Sequence, residues 1–315
     1  MSAHASVRRA LLPALACAVL ATLLVTTAPV SAQSPAQSPA RAAAAARAGE
    51  VPGVPAECLA RPMKCRLGPS YPGKPTLVLW GDSHAWQLIP AVRAAIGRRE
   101  VNFVAFLFGG CPPFDPDLST PAEVRAAGPC RQTNHKALTY VTNATKRHKD
   151  IRVVLAGGWE LYRYALDPLG PDEPGWHEHT SPSIAGAAEL AAVGTPRLFR
   201  TLGRVRVPTD VVGQMPTVPD NAPACALSED PYMCDLPRAA ALPKASANRR
   251  ALKSLVDRLR LPARLIEPSS FFCDRTGCAG RVRGESAWYD DTHISLSLSA
   301  LLGRYFAPSV RRLTS

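Results

Sequence analysis

The residues of this chain that could do chemistry concentrate in two short stretches. The first is Leu77-Val78-Leu79-Trp80-Gly81-Asp82-Ser83-His84. An apolar run ends in Gly-Asp-Ser, and a helical pattern begins at once. A serine so placed stands at the carboxyl end of a strand, where open α/β sheets keep their binding crevices. A helix start also offers backbone N–H groups without intrahelical partners, which suit developing negative charge. Gly81 permits a tight turn. The plainer reading is that Asp82 or Ser83 only caps the helix, and this stretch alone does not choose. The second is Trp288-Tyr289-Asp290-Asp291-Thr292-His293-Ile294-Ser295. In a tight turn, the Asp290-x-x-His293 spacing lets the carboxylate accept a hydrogen bond from the imidazole Nδ1–H. Nε2 is then left to take a proton from a hydroxyl. A lone Asp-x-x-His is a weak signal, because exposed loop histidines are common, and Asp291 competes with Asp290. Together the two stretches suit nucleophilic catalysis if the fold brings them to one place.

The elements between them can do this. Thr76–Trp80, Val101–Phe108 and Ile151–Ala156 are short apolar runs of strand type. Arg206–Gln214 is a fourth, with Pro208 an awkward fit near its start, and Ala263–Ile266 a fifth. Helical spacing runs over His84–Arg98, through Leu88, Ile89, Val92 and Ile96. It returns over Gln132–Arg147 after a break at Gly128-Pro129. It appears again over Ser183–Leu202, which Gly194 and Pro196 threaten to split, and over Ala245–Leu259. A last helix is expected from Leu296 to about Phe306, stopped by Pro308. Alternation at this pitch predicts an α/β fold: three α/β/α layers around a mainly parallel, doubly wound sheet. One motif then follows the first strand and the other precedes the last helix, at one edge of that sheet.

The 315 residues are 46% apolar and 20% charged, enough to bury a core and too apolar for a disordered chain. The net charge of +12 comes from scattered Lys and Arg. These are not interleaved with aromatics, so no nucleic-acid partner is expected. Residues 1–32 read as a secretory signal peptide: Arg8 and Arg9, apolar Ala10–Val30, then the small-residue site Val30-Ser31-Ala32. Residues 33–55, rich in Ala, Pro and Ser, read as a flexible tether, and 56–315 as the folded domain. Beyond the leader lie Cys58, Cys65, Cys111, Cys130, Cys225, Cys234, Cys273 and Cys278. An even set in an exported chain reads as a disulfide framework. Pairing of sequence neighbours is the proximity guess. No Cys-x-x-Cys occurs, and His177-Glu178-His179 sits among prolines and glycines, so no metal site is expected.

Gly81-Asp82-Ser83 together with Asp290-x-x-His293 resembles the SGNH (GDSL-type) hydrolase superfamily. The longer Gly81-Asp82-Ser83-His84-Ala85, the loop Gly110-Cys111-Pro112-Pro113 and Asp290…His293-Ile294-Ser295 are more specific. They resemble the SGNH domain fused to membrane acyltransferases that O-acylate bacterial surface glycans. The resemblance runs from about Pro75 to Arg304 and includes the Cys111/Cys130 and Cys273/Cys278 spacings. It implies Ser83 as nucleophile, His293 as general base and acid, and Asp290 as the group orienting the imidazole. It also implies that the N–H groups of Ser83 and Gly110 donate to the oxyanion, with Gly109 a close competitor. The superfamily's third block supplies an asparagine after the third strand. Here that strand leads into Gly157-Gly158-Trp159-Glu160, so Trp159 or a nearby backbone N–H is the expected substitute. Asp82, His84 and Trp159 are candidate substrate contacts. Even so, His84 reads more readily as support, and Trp159, with Tyr162 and Tyr164, as core or rim packing.

No acyltransferase membrane domain accompanies the motifs. The expected protein is therefore a free-standing exported esterase or O-acyltransferase, periplasmic or extracellular and associated with the cell envelope. It would work through an acyl-enzyme on ester-linked acyl groups, acetyl first, of envelope glycans, and would need no cofactor. Its expected partners are the glycan and a membrane acyl-donor protein. The competing expectation is a non-catalytic basic envelope module that binds anionic glycan and keeps the motifs as a relic. The missing asparagine favours that alternative, and the intact serine, aspartate and histidine oppose it.

Overall fold

The computed structural model describes residues 51–117, 128–159, 194–218, 234–243, 245–259, 261–290 and 292–315. Residues 1–50, which hold the expected signal and most of the expected tether, and Cys225, Asp291, Tyr162, Tyr164 and His177-Glu178-His179 lie outside them. Six strands form the main sheet: β1 (Lys64–Arg66), β2 (Thr76–Gly81), β3 (Asn102–Leu107), β4 (Ile151–Ala156), β5 (Thr209–Val212) and β6 (Leu265–Ile266). Their order is β1-β3-β2-β4-β5-β6. All neighbours are parallel except β1, which runs antiparallel to β3. The central strand β2 pairs along its whole length with β3 on one side and β4 on the other. The chain thus winds outward from β2 to β3, then crosses back to β4 and winds the other way. That reversal opens a crevice at the carboxyl end of β2.

The period of two along β2 explains the layers. Leu77 and Leu79 enter one core, which also buries Ile89, Val92, Phe306 and Val310. Val78 and Trp80 enter the other, with Leu138, Val141, Phe199 and Leu252. The first core is covered by helices α2 (Ile89–Ile96), α5 (Leu296–Leu301) and α6 (Gly303–Thr314), the second by α3 (Gly128–Lys146), helical residues 194–204 and α4 (Ala245–Arg258). A single turn, α1 (Ser83–Trp86), connects β2 to α2. Among the described residues no helix is long and apolar enough to cross a membrane.

Several boundaries differ from expectation, mostly at prolines. The helix expected over residues 84–98 is two pieces, because Pro90 stands in the first turn of α2 and has no N–H to continue α1. Helix α3 already includes Gly128 and Pro129, four residues before its expected beginning at Gln132. Strand β5 is only four residues, because Pro208 can accept from Val153 N–H but cannot donate. Pro308 does not stop the last helix. The α6 helix runs through it and buries Phe306, Val310 and Leu313. A proline inside a helix costs about 3 kcal/mol, and three buried side chains at roughly 1.5–3 kcal/mol each offset that. The three-residue β1 was not foreseen. Disulfides join Cys58 to Cys65, Cys111 to Cys130 and Cys273 to Cys278. Cys234 is also disulfide-bonded.

Candidate active site

The site grows from the end of β2. Any side chain at position 81 would collide with the carbonyl of Ala156, so glycine is what lets β4 lie this close. Asp82 then caps α1. Its Oδ1 accepts from His84 N–H at 2.8 Å, and its Oδ2 accepts from Gly158 N–H at 2.9 Å. One buried carboxylate therefore ties the loop after β2 to the loop after β4. Burial pushes the Asp82 carboxyl up, but the hydrogen bond and charge of His84 and the N–H groups of Gly158 and His84 hold it below the ordinary carboxylate value.

Ser83 opens α1 with its hydroxyl towards the crevice. His293 Nε2 lies 2.7 Å from Ser83 Oγ, across the sheet edge from the far end of the chain. His293 Nδ1 lies 2.8 Å from both carboxylate oxygens of Asp290. Asp290 Oδ1 also accepts from the N–H groups of Thr292 and His293 at 2.9 and 2.8 Å, so the turn is built around its carboxylate. Burial raises the Asp290 pKa, but the His293 hydrogen bond, the charge of that ring and these two N–H groups win and bring it to about 2. A hydroxyl, an imidazole and a held anion in this sequence can pass a proton from oxygen to nitrogen while stabilising the imidazolium that forms.

The turn that presents His293 is fixed twice. Trp288 and Ile294 form a bridge and are both buried. Ile294 N–H donates to Gln87 Oε1 at 2.7 Å, and Ser299 Oγ donates to the Gln87 carbonyl. Gln87 lies one helical turn after Ser83, so one short segment carries the hydroxyl and holds the imidazole. The sequence reading missed Gln87. The available signal was a lone amide among Ala85, Trp86, Leu88 and Ile89, four residues from the serine.

The loop after β3 is organised by another buried amide that the sequence reading missed. Asn134 Oδ1 accepts from Trp80 Nε1 and Phe114 N–H, and its Nδ2 donates to the carbonyls of Pro112 and Cys130. Asn134 occupies the buried stripe of α3 with Cys130, Ala137, Leu138 and Val141, a spacing that asks for an apolar residue. In the Phe108–Cys111 turn, Gly110 has φ +65°, which favours glycine, and a Cβ there would meet nothing within 4 Å. Gly109 N–H is spent on the Leu59 carbonyl. Of the two candidate glycine donors, Gly110 is therefore the one left.

Three expected contacts need correction. Trp159 is fully buried, its Nε1 donates to the Val212 carbonyl at 2.6 Å and its backbone N–H to Gly157. It is a core residue and not an oxyanion donor or sugar contact. Gly158 N–H is likewise committed, to Asp82. Asp82 and His84 are 1% and 2% exposed, too buried to meet substrate. His84 instead packs behind the site, its ring centroid 4.6 Å from that of His293.

A family model for the SGNH domain (fused to AT3 domains) matches residues 53–308, and the chain belongs to that family. No curated protein matches the sequence. Among solved structures, the periplasmic domain of a lipopolysaccharide acetyltransferase from Salmonella ser. Paratyphi A is 14% identical, with a TM-score of 0.50. The match covers 76% of this chain and 85% of that one, and it shows the common fold. An acylhydrolase-like protein from Bacteroides fragilis is 11% identical with a TM-score of 0.40, covering 79% and 92% of the two chains. An acetylxylan esterase from Geobacillus stearothermophilus is 12% identical with a TM-score of 0.39, covering 77% and 96%.

Proposed function

We propose that this member of the SGNH domain family is an exported serine esterase or O-acyltransferase acting on ester-linked acyl groups, acetyl first, of cell-envelope glycans. The observation that carries the reading is the unbroken relay from Ser83 Oγ through His293 to Asp290. Ser83 Oγ attacks the ester carbonyl carbon while its proton passes to His293 Nε2. Asp290 stays anionic and holds the ring so that Nε2 faces the serine. The oxyanion draws on the N–H groups of Ser83 and Gly110, since Trp159 and Gly158 have none to spare. Collapse breaks the bond to the sugar oxygen, which takes the proton from His293 and leaves the acyl group on Ser83. Water, or a second sugar hydroxyl, then gives its proton to His293 and takes the acyl group, and the released Ser83 Oγ recovers that proton from His293. The first acceptor makes the protein an esterase, the second a transferase.

The leader-like residues 1–32 and the disulfides support work outside the cytoplasm, where thiols oxidise. The fold shared with a lipopolysaccharide acetyltransferase periplasmic domain supports an envelope glycan as substrate or acceptor. The test is labelling with a fluorophosphonate, which esterifies an activated serine. Wild-type protein takes the label at Ser83 and Ser83→Ala does not. Equal labelling of both, or none of wild type while a control esterase reacts, favours the non-catalytic glycan-binding module. Mass analysis of an acetylated donor glycan with and without an acceptor separates hydrolysis from transfer.

A further inference from the structure

At the other end of the sheet, away from Ser83, a groove of about 740 Å³ lies between the β1 edge, the turn at residues 70–74 and helix α3. Thr76, which begins β2, lines it, and Ser83 follows the other end of that six-residue strand. The two places are therefore about 20 Å apart, at roughly 3.3 Å per residue. Six cations line the groove: Lys64, Arg66, Lys74, Lys136, Arg147 and Lys149. His135 and His148 join them, and Asp150 is the one acid among the described lining residues. Lys74 pairs with Glu100. Among the described residues, no acid pairs with Arg66, Arg147 or Lys149.

Shape and preorganisation add to the charge. Asn102 pins the wall opposite α3: its Oδ1 accepts from Tyr71 N–H, and its Nδ2 donates to the carbonyls of Tyr71 and Lys74. Lys64 Nζ stands 5.1 Å over the ring of Tyr140. Tyr71 and Tyr140 give the groove aromatic surface between its charges. Cations on several walls of a concave channel focus the field on a ligand lying within it. A flat layer of lipid headgroups cannot enter a concavity, whereas a single extended chain can.

We propose that this groove is a second, non-catalytic site that holds a polyanionic glycan chain by its phosphate or carboxylate groups. The anion site rests on charge and shape alone; that its occupant is a glycan rests on the function proposed above. An extended polymer held here can also reach the crevice at Ser83, so the groove would raise the local concentration of acyl-bearing or accepting units.

The test uses the full chain carrying Ser83→Ala, so that acyl chemistry plays no part. Fluorescent poly(glycerol phosphate), polygalacturonate and neutral dextran of matched length are titrated against it. Binding of either polyanion without dextran, weakening steeply with added salt, is expected, and the polymer that binds identifies the anion. The exposed triple variant Arg66→Gln, Arg147→Gln, Lys149→Gln lowers that affinity about tenfold. On the Ser83 background it leaves fluorophosphonate labelling unchanged. Three outcomes overturn the proposal: dextran binding as well as the polyanions, the triple variant binding undiminished, or preference for phosphatidylglycerol vesicles over both polyanions. Loss of labelling with groove binding intact would sink the catalytic reading and leave the groove. Labelling with no polyanion binding does the reverse.

Discussion

A proton relay needs more than three residues in line, and Gln87 shows what else it needs. The amide spans the gap between the serine's helix and the histidine's turn, bonding Ile294 N–H from a nearly inaccessible position. Gln87→Leu would leave that N–H buried without a partner, at a cost of about 1–3 kcal/mol. It would also let the imidazole drift, and a misplacement near 1 Å is worth roughly a hundredfold in rate. Because Gln87 touches no substrate, kcat for a small acetyl ester should fall about ten- to a hundredfold while KM holds. A loss confined to KM would show that Gln87 acts on binding instead. Residue types announced Ser83, Asp290 and His293 because each motif is local. Gln87 was not legible, since its partner lies at the other end of the chain.

At the scale of elements, the site is a meeting of the loops that follow β2, β3 and β4 with the turn before α5 that carries Asp290 and His293. Gly81 sets their spacing. Gly81→Ala puts a Cβ against the Ala156 carbonyl, and overpacking of this kind costs about 1–3 kcal/mol or more. The midpoint of urea unfolding should drop and Ser83 labelling slow together; an unchanged midpoint would mean that β4 can move aside. The loop after β3 is held by the disulfide between Cys111 and Cys130, 19 residues apart. Replacing both by serine should cost about 3 kcal/mol of stability, read from the same midpoint, and should slow labelling because Gly110 adjoins Cys111. Strand β4 was legible to the residue, because both of its faces are buried and five of its six residues are apolar; the exception, Arg152, is buried against Asp210 of β5. Strand β1 was not: three residues with one buried give no period, and only the edge of β3 makes them a strand. The last helix overran its proline because tertiary burial, invisible to local propensity, outweighed the missing hydrogen bond.

For the whole molecule, acid is the informative perturbation. Asp290 has a folded-state pKa of about 2, below the usual value near 4. A depressed carboxylate contributes stability that is present above the unfolded value and is lost as pH falls through the folded one. The protein should therefore lose stability between about pH 4 and pH 2, and Asp290→Asn should flatten that part of the curve of urea midpoint against pH. An identical slope in both proteins would assign the acid loss to other carboxylates. Since Asp290 remains charged at any pH suited to catalysis, the same variant should lower kcat across the whole profile, by about a thousandfold or more. What the sequence by itself determined was local: strand-forming runs, the glycine before the serine, the three-residue step from Asp290 to His293, and the near-neighbour pairing of Cys58 with Cys65, Cys111 with Cys130 and Cys273 with Cys278. Tertiary structure alone decided the rest. It turned Trp159 into core, committed Gly158 to Asp82, left Gly110 over Gly109 and spread six cations around one groove. Hydrogen bonds and burial between segments remote in sequence depend on how the sheet winds, and no local pattern carries that information.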